Sequence, residues 1–313
     1  MRAIDSSKVN LHGLRVPTLA MDRLYQEINS AIHLRRHGML ILSNPGAGIS
    51  TALGLIHEGL EKQQPHLLVE RCMGVRHQER EFWRHFLIAD NGLNGVRFNN
   101  AQSRARLINR LCQRAGSIQA DQCVLLVDRA HDMDAAHFDE LSRFEDDMRF
   151  HGLDLMLCFV GHHKIERVED LLLKRGITEP SMRYFATRTL FKGISHLNEL
   201  KYYLSWFDTQ IIDEINQSTI TQASFGEAYG VGWRLEDQAH IIWTHLQAYL
   251  SANKDLQMQP LHEIVASVLQ QGRDKGRGAL PPTPLDWSNV IERSNLPRLR
   301  GSSVVVPHKG GKR

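Results

Sequence analysis

Two hydrophobic periods alternate along the first two thirds of the chain. Short apolar runs bounded by turn residues occur at Gly38–Leu42, His66–Glu70, Cys123–Asp128 and Leu153–Val160, with a further one at Thr187–Phe191. Such runs suit parallel strands buried on both faces. Between them the apolar residues fall at helical spacing. Leu24, Ile28, Ala31 and Ile32 mark a helix over Leu19–Arg36. Others are predicted over Ser50–Lys62, Gln78–Ala89, Ser103–Ala115 and about Ala135–Phe150. Strands alternating with helices predict βαβ units, hence an α/β fold with a parallel sheet between helices.

From His196 the strand period disappears. Glu199–Asn216, Gln238–Ala252 and Leu261–Gln270 read as helices, and no clear strand remains. The pattern divides the chain into an N-terminal arm (1–18), an α/β domain (19–195), a smaller helical lid or C-terminal domain (196–271) and a basic, Pro/Gly-containing tail (272–313) expected to be mobile.

Composition narrows the class. A chain of 313 residues, 42% hydrophobic, is long enough for about two domains with a sizeable core. The net charge of +3 is too small to imply nucleic-acid binding by itself. The tail from Gly272 holds nine basic residues against three acidic ones, a net of +6, so the rest is slightly acidic. No apolar run approaches the roughly 20 residues that span a bilayer, and no signal-peptide pattern opens the chain. Cys72, Cys112, Cys123 and Cys158 lack metal-ligand spacing; Cys123 and Cys158 lie in apolar runs, as buried hydrophobes do. A cytoplasmic location without membrane partners is expected.

The loop after the first strand carries the candidate chemistry. A Walker A loop, GxxxxGK[ST], wraps phosphates with backbone N–H groups at a helix N-terminus. Its lysine reaches the terminal phosphates and its hydroxyl binds Mg²⁺. Here the segment is Ser43-Asn44-Pro45-Gly46-Ala47-Gly48-Ile49-Ser50-Thr51. Serine replaces the first glycine and Ile49 the lysine. Taken alone, this is also what an ordinary Pro/Gly turn looks like. The strand Val124–Val127 then delivers Asp128 at its carboxyl end, in Leu125-Leu-Val-Asp-Arg-Ala-His131. This matches a Walker B segment of hhhhDEAH type with Arg129 in place of the glutamate. Ile49 removes a cation from the β/γ-phosphates, and Arg129 cannot act as a base because arginine stays protonated. Gly46, Ala47, Gly48, Ile49, Ser50, Thr51, Asp128 and Arg129 are therefore the candidate nucleotide-binding residues. Ser50 and Asp128 remain able to hold Mg²⁺ if a nucleotide binds. ATP/Mg²⁺ is the expected cofactor, with weakened binding and without hydrolysis, although Arg129 could instead supply the missing cation.

With these motifs, and Leu157-Cys-Phe-Val-Gly161, the chain resembles the TniB/TnsC group of transposon AAA+ regulators from about Leu19 to Leu250. The same motifs suit related AAA+ groups, including secretion and DNA-uptake ATPases. The resemblance implies an AAA+ P-loop NTPase domain with a helical C-terminal domain. It also implies polymerisation on double-stranded DNA and a link between a target-selection protein and a DDE transposase. Because of Ile49 and Arg129, the expectation is a catalytically impaired subunit in a homo-oligomer, or in a hetero-oligomer with an active AAA+ paralogue. The alternatives are an active ATPase with a non-standard site, and a signalling or secretion-type adaptor that does not touch DNA.

Further positions have both a functional and an ordinary reading. Arg183, with Arg188 nearby, lies where AAA+ proteins place an inter-subunit arginine, or is a surface arginine. His162 is a sensor candidate at a strand exit, or one of two loop histidines with His163. Arg234 is a lid sensor candidate, or a solvated helix start. Arg97, Arg104, Arg106, Arg110 and Arg114 are DNA-binding candidates. Arg106, Arg110 and Arg114 recur every four residues along one helix face, which can track phosphates or simply face water. The basic tail, with Pro281-Pro-Thr-Pro284 and Trp287, is a second candidate for DNA or transposase contact.

Overall fold

The computed structural model describes residues 10–74, 82–83, 99–176, 178–213, 217–250, 255–276, 278–294 and 296. Contacts divide the chain into two units: Ala20–Pro45 with Ile49–Phe191, and Met1–Leu19 with Gly46–Gly48 and Lys192–Arg313.

The first unit is built on a five-stranded parallel sheet. Its elements run α1 (Leu19–His33), β1 (Gly38–Ser43), α2 (Ile49–Gln63), β2 (Leu67–Met73), α3 (Asn100–Ile118), β3 (Gln122–Asp128), α4 (Ala135–Phe150), β4 (Asp154–Gly161), α5 (Ile165–Lys174) and β5 (Arg188–Phe191). Phe82 and Trp83, from the predicted helix Gln78–Ala89, are helical and buried; the rest of that segment lies outside the described residues. The strand order is β2-β3-β4-β1-β5, with the described pairings parallel. β4 thus lies between the strands that carry the two candidate motifs. Every residue of β1 and β3 is buried, which is why both appear as unbroken apolar runs in the sequence.

Helices close the sheet through regular apolar faces. In α4, Phe138, Leu141, Phe144 and Met148 are fully buried at three- and four-residue spacing. Each burial of this kind contributes about 1.5–3 kcal/mol. Phe138 packs on Phe159 of β4 and on Phe185, with ring centroids 5.0 and 5.2 Å apart. The start of α4 is fixed by a capping box in which the Asp134 carboxylate accepts from the amides of Ala136 and His137. The Asn99 side chain caps α3 in the same way.

One group in this unit is costly to bury. Glu145 is wholly enclosed, and its carboxylate accepts from the Tyr184 hydroxyl at 2.7 Å and from Arg149 at 2.8 Å. His37 Nδ1 stands 2.6 Å away and Arg183 3.5 Å away. Satisfying both oxygens is what makes a buried carboxylate tolerable.

The second unit is mainly helical: α6 (Leu197–Thr209), α7 (Ala239–Leu246), α8 (Met258–Lys275) and α9 (Pro284–Arg293) enclose its core. α6 stops at Thr209, short of the predicted end at Asn216. Ile211–Asp213 (β6) instead pairs antiparallel with Ser218–Thr219 (β7), correcting the expectation of a strand-free region. The buried Asp208 carboxylate accepts from the amides of Leu235 and Glu236 at 2.9 Å, and burial raises its pKa.

The expected mobile tail is also corrected over part of its length. Thr283 caps α9 through a capping box with Asp286, Pro284 opens the helix, and Trp287 and Ile291 are buried. Burial of those two side chains outweighs the Pro/Gly-rich composition around them. From the N-terminal arm, Leu11 enters the same core, and its carbonyl lies 3.0 Å from His262 Nε2. Gly46 belongs to this unit because the Met258 amide donates to its carbonyl at 2.8 Å. Its φ is +84°, and a Cβ there would meet Gln257 at 3.1 Å, so only glycine fits without strain.

Candidate nucleotide site at the carboxyl edge of the sheet

Parallel sheets bind ligands beyond the carboxyl ends of their strands, and three exits meet there in the first unit. β1 runs into Ser43-Asn44-Pro45, and β3 ends at Asp128. β4 lies between them and ends at Gly161, paired with Leu42 of β1. α2 begins at Ile49, so its free amides point to this edge.

The structure brings Ser50 and Asp128 together. The Ser50 hydroxyl donates to Asp128 Oδ2 at 2.8 Å, while the Arg129 amide donates to Oδ1 at 2.8 Å. A hydroxyl beside a buried carboxylate is a hard-oxygen pair suited to Mg²⁺. When bound, the ion would neutralise phosphate charge. Gly46 and Gly48 have φ of +84° and +89°, a backbone region that glycine enters without strain. The remaining fit is poor. Ile49 is half-buried and offers no charge.

Arg129 occupies the left-handed region at φ +57°. Its Nε and Nη2 donate to Asp132 Oδ2 at 3.0 and 2.6 Å. The Asp132 side chain is 3% exposed, so the arginine is neutralised within its own turn. This arrangement does not replace the lysine missing at position 49.

Two residues at this edge carried no assigned role in the sequence reading. Arg71, near the end of β2, donates from Nη2 to the Ser50 carbonyl at 3.3 Å. His131 stacks on His162 with ring centroids 3.7 Å apart. A lone arginine in a strand gives no sequence signal. The histidine pair becomes visible only once β3 and β4 are known to be neighbours.

The other candidates lie in separate places. Arg183 pairs with Glu145, Asp146 and Glu179 and is mostly covered. Burial lowers its pKa, and its acidic partners more than offset this, so the net shift is upward. Arg188 is held by Glu169 and donates to the Phe185 carbonyl. Arg234, in the second unit, donates to the carbonyls of Tyr229 and Trp233 at 2.8 Å and lies 3.6 Å over the Tyr229 ring. On α3, Arg104 pairs with Asp147 and Arg114 with Glu70, while Arg106 is exposed and Arg110 half-buried. Arg97 lies outside the described residues.

Among the described residues, no group of three or more His, Cys, Asp or Glu side chains is placed to hold a metal by itself. No described helix is long and apolar enough to cross a membrane. Burial raises the pKa of the Cys123 and Cys158 thiols to about 12, so both stay protonated and apolar in character.

The sheet order, the loop between β1 and α2, and the paired Ser50 and Asp128 define an AAA+ P-loop NTPase fold with a smaller helical domain. Solved structures agree. The chain is similar to Cdc6p from Pyrobaculum aerophilum, with a TM-score of 0.55 at 15% identity over 89% of this chain and 68% of that one. It is also similar to Drosophila ORC bound to DNA, with a TM-score of 0.51 at 13% identity over 92% of this chain and 66% of that one. No family model matches the sequence, and no curated protein matches it.

Proposed function

We propose that this chain is a DNA-associated AAA+ assembly subunit that binds nucleotide weakly and does not hydrolyse it. In this reading it serves in transposition, linking a target-selection protein to a DDE transposase within an oligomer. The observation that carries the proposal is an intact Ser50–Asp128 pair beside two altered positions, Ile49 and Arg129. The Mg²⁺-binding half of the site is kept, while the groups for phosphate charge and water activation are gone.

DNA association draws support from the fold shared with a DNA-bound ORC structure and from the face of α3 that presents Arg106. Arg114 serves that face less, because Glu70 neutralises it, and Arg104 turns away from it to pair with Asp147. The transposition context rests on the motif resemblance. A trans role for Arg183 would require it to exchange Glu179 and Asp146 for a neighbour's phosphate.

The test is equilibrium binding of a fluorescent ATP analogue with Mg²⁺, steady-state hydrolysis, and salt-dependent binding of duplex DNA, all on the full chain. The expected result is weak Mg²⁺-dependent nucleotide binding, no turnover, and DNA binding that weakens with salt. Arg106→Glu with Arg110→Glu should reduce the DNA salt slope. Sustained turnover would replace this reading with an active ATPase. DNA binding absent at low salt would replace it with an adaptor.

A further inference from the structure

His131 has no part in the reading above, yet it stacks on the sensor candidate His162. His131 lies in the turn Ala130–Asp132 that follows β3, and His162 is the first residue past β4. The rings stack at 3.7 Å with a tilt of 38°. Gly161 permits this: a Cβ there would come within 3.2 Å of the His131 amide nitrogen and 3.4 Å of its Nδ1. Gly161 pairs with Leu42, the residue before the phosphate loop begins at Ser43, and His162 follows Gly161 directly.

The local hydrogen bonding favours a neutral resting state. His162 Nδ1 accepts the Lys164 amide at 3.3 Å, which leaves its proton on Nε2. His131 Nδ1 is buried without a hydrogen-bond partner among the described residues. Burial first, and His162 second, hold the His131 pKa below the ordinary histidine value; Arg129 and Lys164 add to this and Asp132 opposes it. Further ionisable groups at these two exits are Asp128, the last residue of β3, and the ion pair of His163 with Glu166 after β4.

We propose that the His131–His162 pair is the phosphate-recognising cation of this site, taking up one proton as a nucleoside triphosphate binds. This rests on the reading that the site binds nucleotide. The pair fills the need left by Ile49, whereas Arg129 is already neutralised by Asp132. Two stacked imidazolium rings repel, so the pair carries a single positive charge and titrates as a unit. An arriving polyphosphate raises the pKa of that unit through its negative charge. Affinity is therefore highest below the free-state pKa. It falls by up to about tenfold per pH unit between the free and bound values and levels off above them.

The experiment compares Mg²⁺-dependent binding of a fluorescent, non-hydrolysable ATP analogue across about pH 5–8 for the wild-type chain, His131→Gln and His162→Gln. The ligand's own ionisation is common to all three and cancels in the comparison. The expected result is a steeper rise in affinity at low pH for the wild type than for either variant. Calorimetry of the wild type in two buffers of different ionisation enthalpy should report uptake of about one proton. A measurement free of variants guards against misfolding: inorganic tripolyphosphate should shift the His131 and His162 ring resonances towards their protonated positions. Identical pH profiles in all three chains, with ring resonances unmoved by tripolyphosphate, would overturn the proton coupling and leave nucleotide binding standing. Absence of analogue binding by the wild type at every pH would overturn the nucleotide reading itself.

Discussion

The Ser50 hydroxyl donates a 2.8 Å hydrogen bond to the Asp128 carboxylate, joining the start of α2 to the end of β3 across 78 positions of sequence. In the proposed reading this is the Mg²⁺-binding pair, with Ile49 and Arg129 standing where lysine and glutamate would act. The altered positions are side-chain exchanges on an intact backbone frame, so they are separately reversible.

Ile49→Lys should restore a phosphate cation at the first position of α2. A charge-assisted hydrogen bond contributes about 1.5–3 kcal/mol, so Mg²⁺-nucleotide binding should tighten by about ten- to a hundredfold. Hydrolysis should stay absent, since position 129 still lacks a carboxylate. Titration of the fluorescent analogue checks the first point, and phosphate release checks the second. Unchanged affinity would show that the loop does not place residue 49 beside phosphate.

Restoring glutamate at position 129 should carry a stability cost. Arg129→Glu leaves two carboxylates where Asp132 now holds a guanidinium, and the Asp132 side chain is 3% exposed. Leaving a buried charge without its partner costs about 3–5 kcal/mol, an upper bound here because the arginine is half exposed. Adding Asp132→Asn should recover most of the loss. Urea denaturation of the single and double variants measures this, and equal stability of the two would remove the coupling.

Acid should weaken the helical unit around His262, where the N-terminal arm joins it. His262 lies within hydrogen-bond distance of the Tyr203 hydroxyl and the Leu11 carbonyl. Burial lowers its pKa from the ordinary histidine value; the Leu11 carbonyl opposes this and His12 adds to it, so the net shift is downward. A histidine with a depressed folded-state pKa binds fewer protons folded than unfolded. Its contribution is therefore complete above about pH 6.5 and declines as pH falls from there towards the folded value. Amide exchange at residues 10–14 should accelerate over that window in the wild type and much less in His262→Gln. A pH-independent difference between the two would contradict the assignment.

Trp287→Ala should destabilise the helical unit by about 3–5 kcal/mol, as expected for emptying a large buried aromatic site. Trp287→Phe should cost less, because the indole N–H has no hydrogen-bond partner among the described residues to lose. Thermal denaturation of the full chain checks both. Near-native stability of the alanine variant would mean that α9 does not complete this core.

The first unit was legible because its strands are buried on both faces. β1 and β3 show as apolar runs, and α4 falls at Ala135–Phe150 as its spacing predicts. The second unit was less so, since Ile211-Ile212 read as a continued helix although they enter a small hairpin. The start of α9 was signalled by Thr283-Pro284 with Asp286 but masked by Pro- and Gly-rich surroundings. At the site, Ser50 and Asp128 could be paired from motif order alone. The partners of Arg129 and His162 could not. Asp132 acts through a left-handed turn, and His131 through a strand neighbour, and neither relation has a fixed sequence spacing.

Glu145 links His37, Arg149, Arg183 and Tyr184, residues that belong to three stretches of the chain. A change at any one of them alters the charge balance felt by the rest. Replacing the carboxylate alone would strand the cations around it, and replacing Tyr184 or Arg149 alone would leave the carboxylate with fewer donors. Substitutions that preserve the fold must therefore arrive together or pass through a weakened intermediate. In lineages that share this fold and cluster, these positions should drift as a correlated set, while exposed positions beside them vary one at a time.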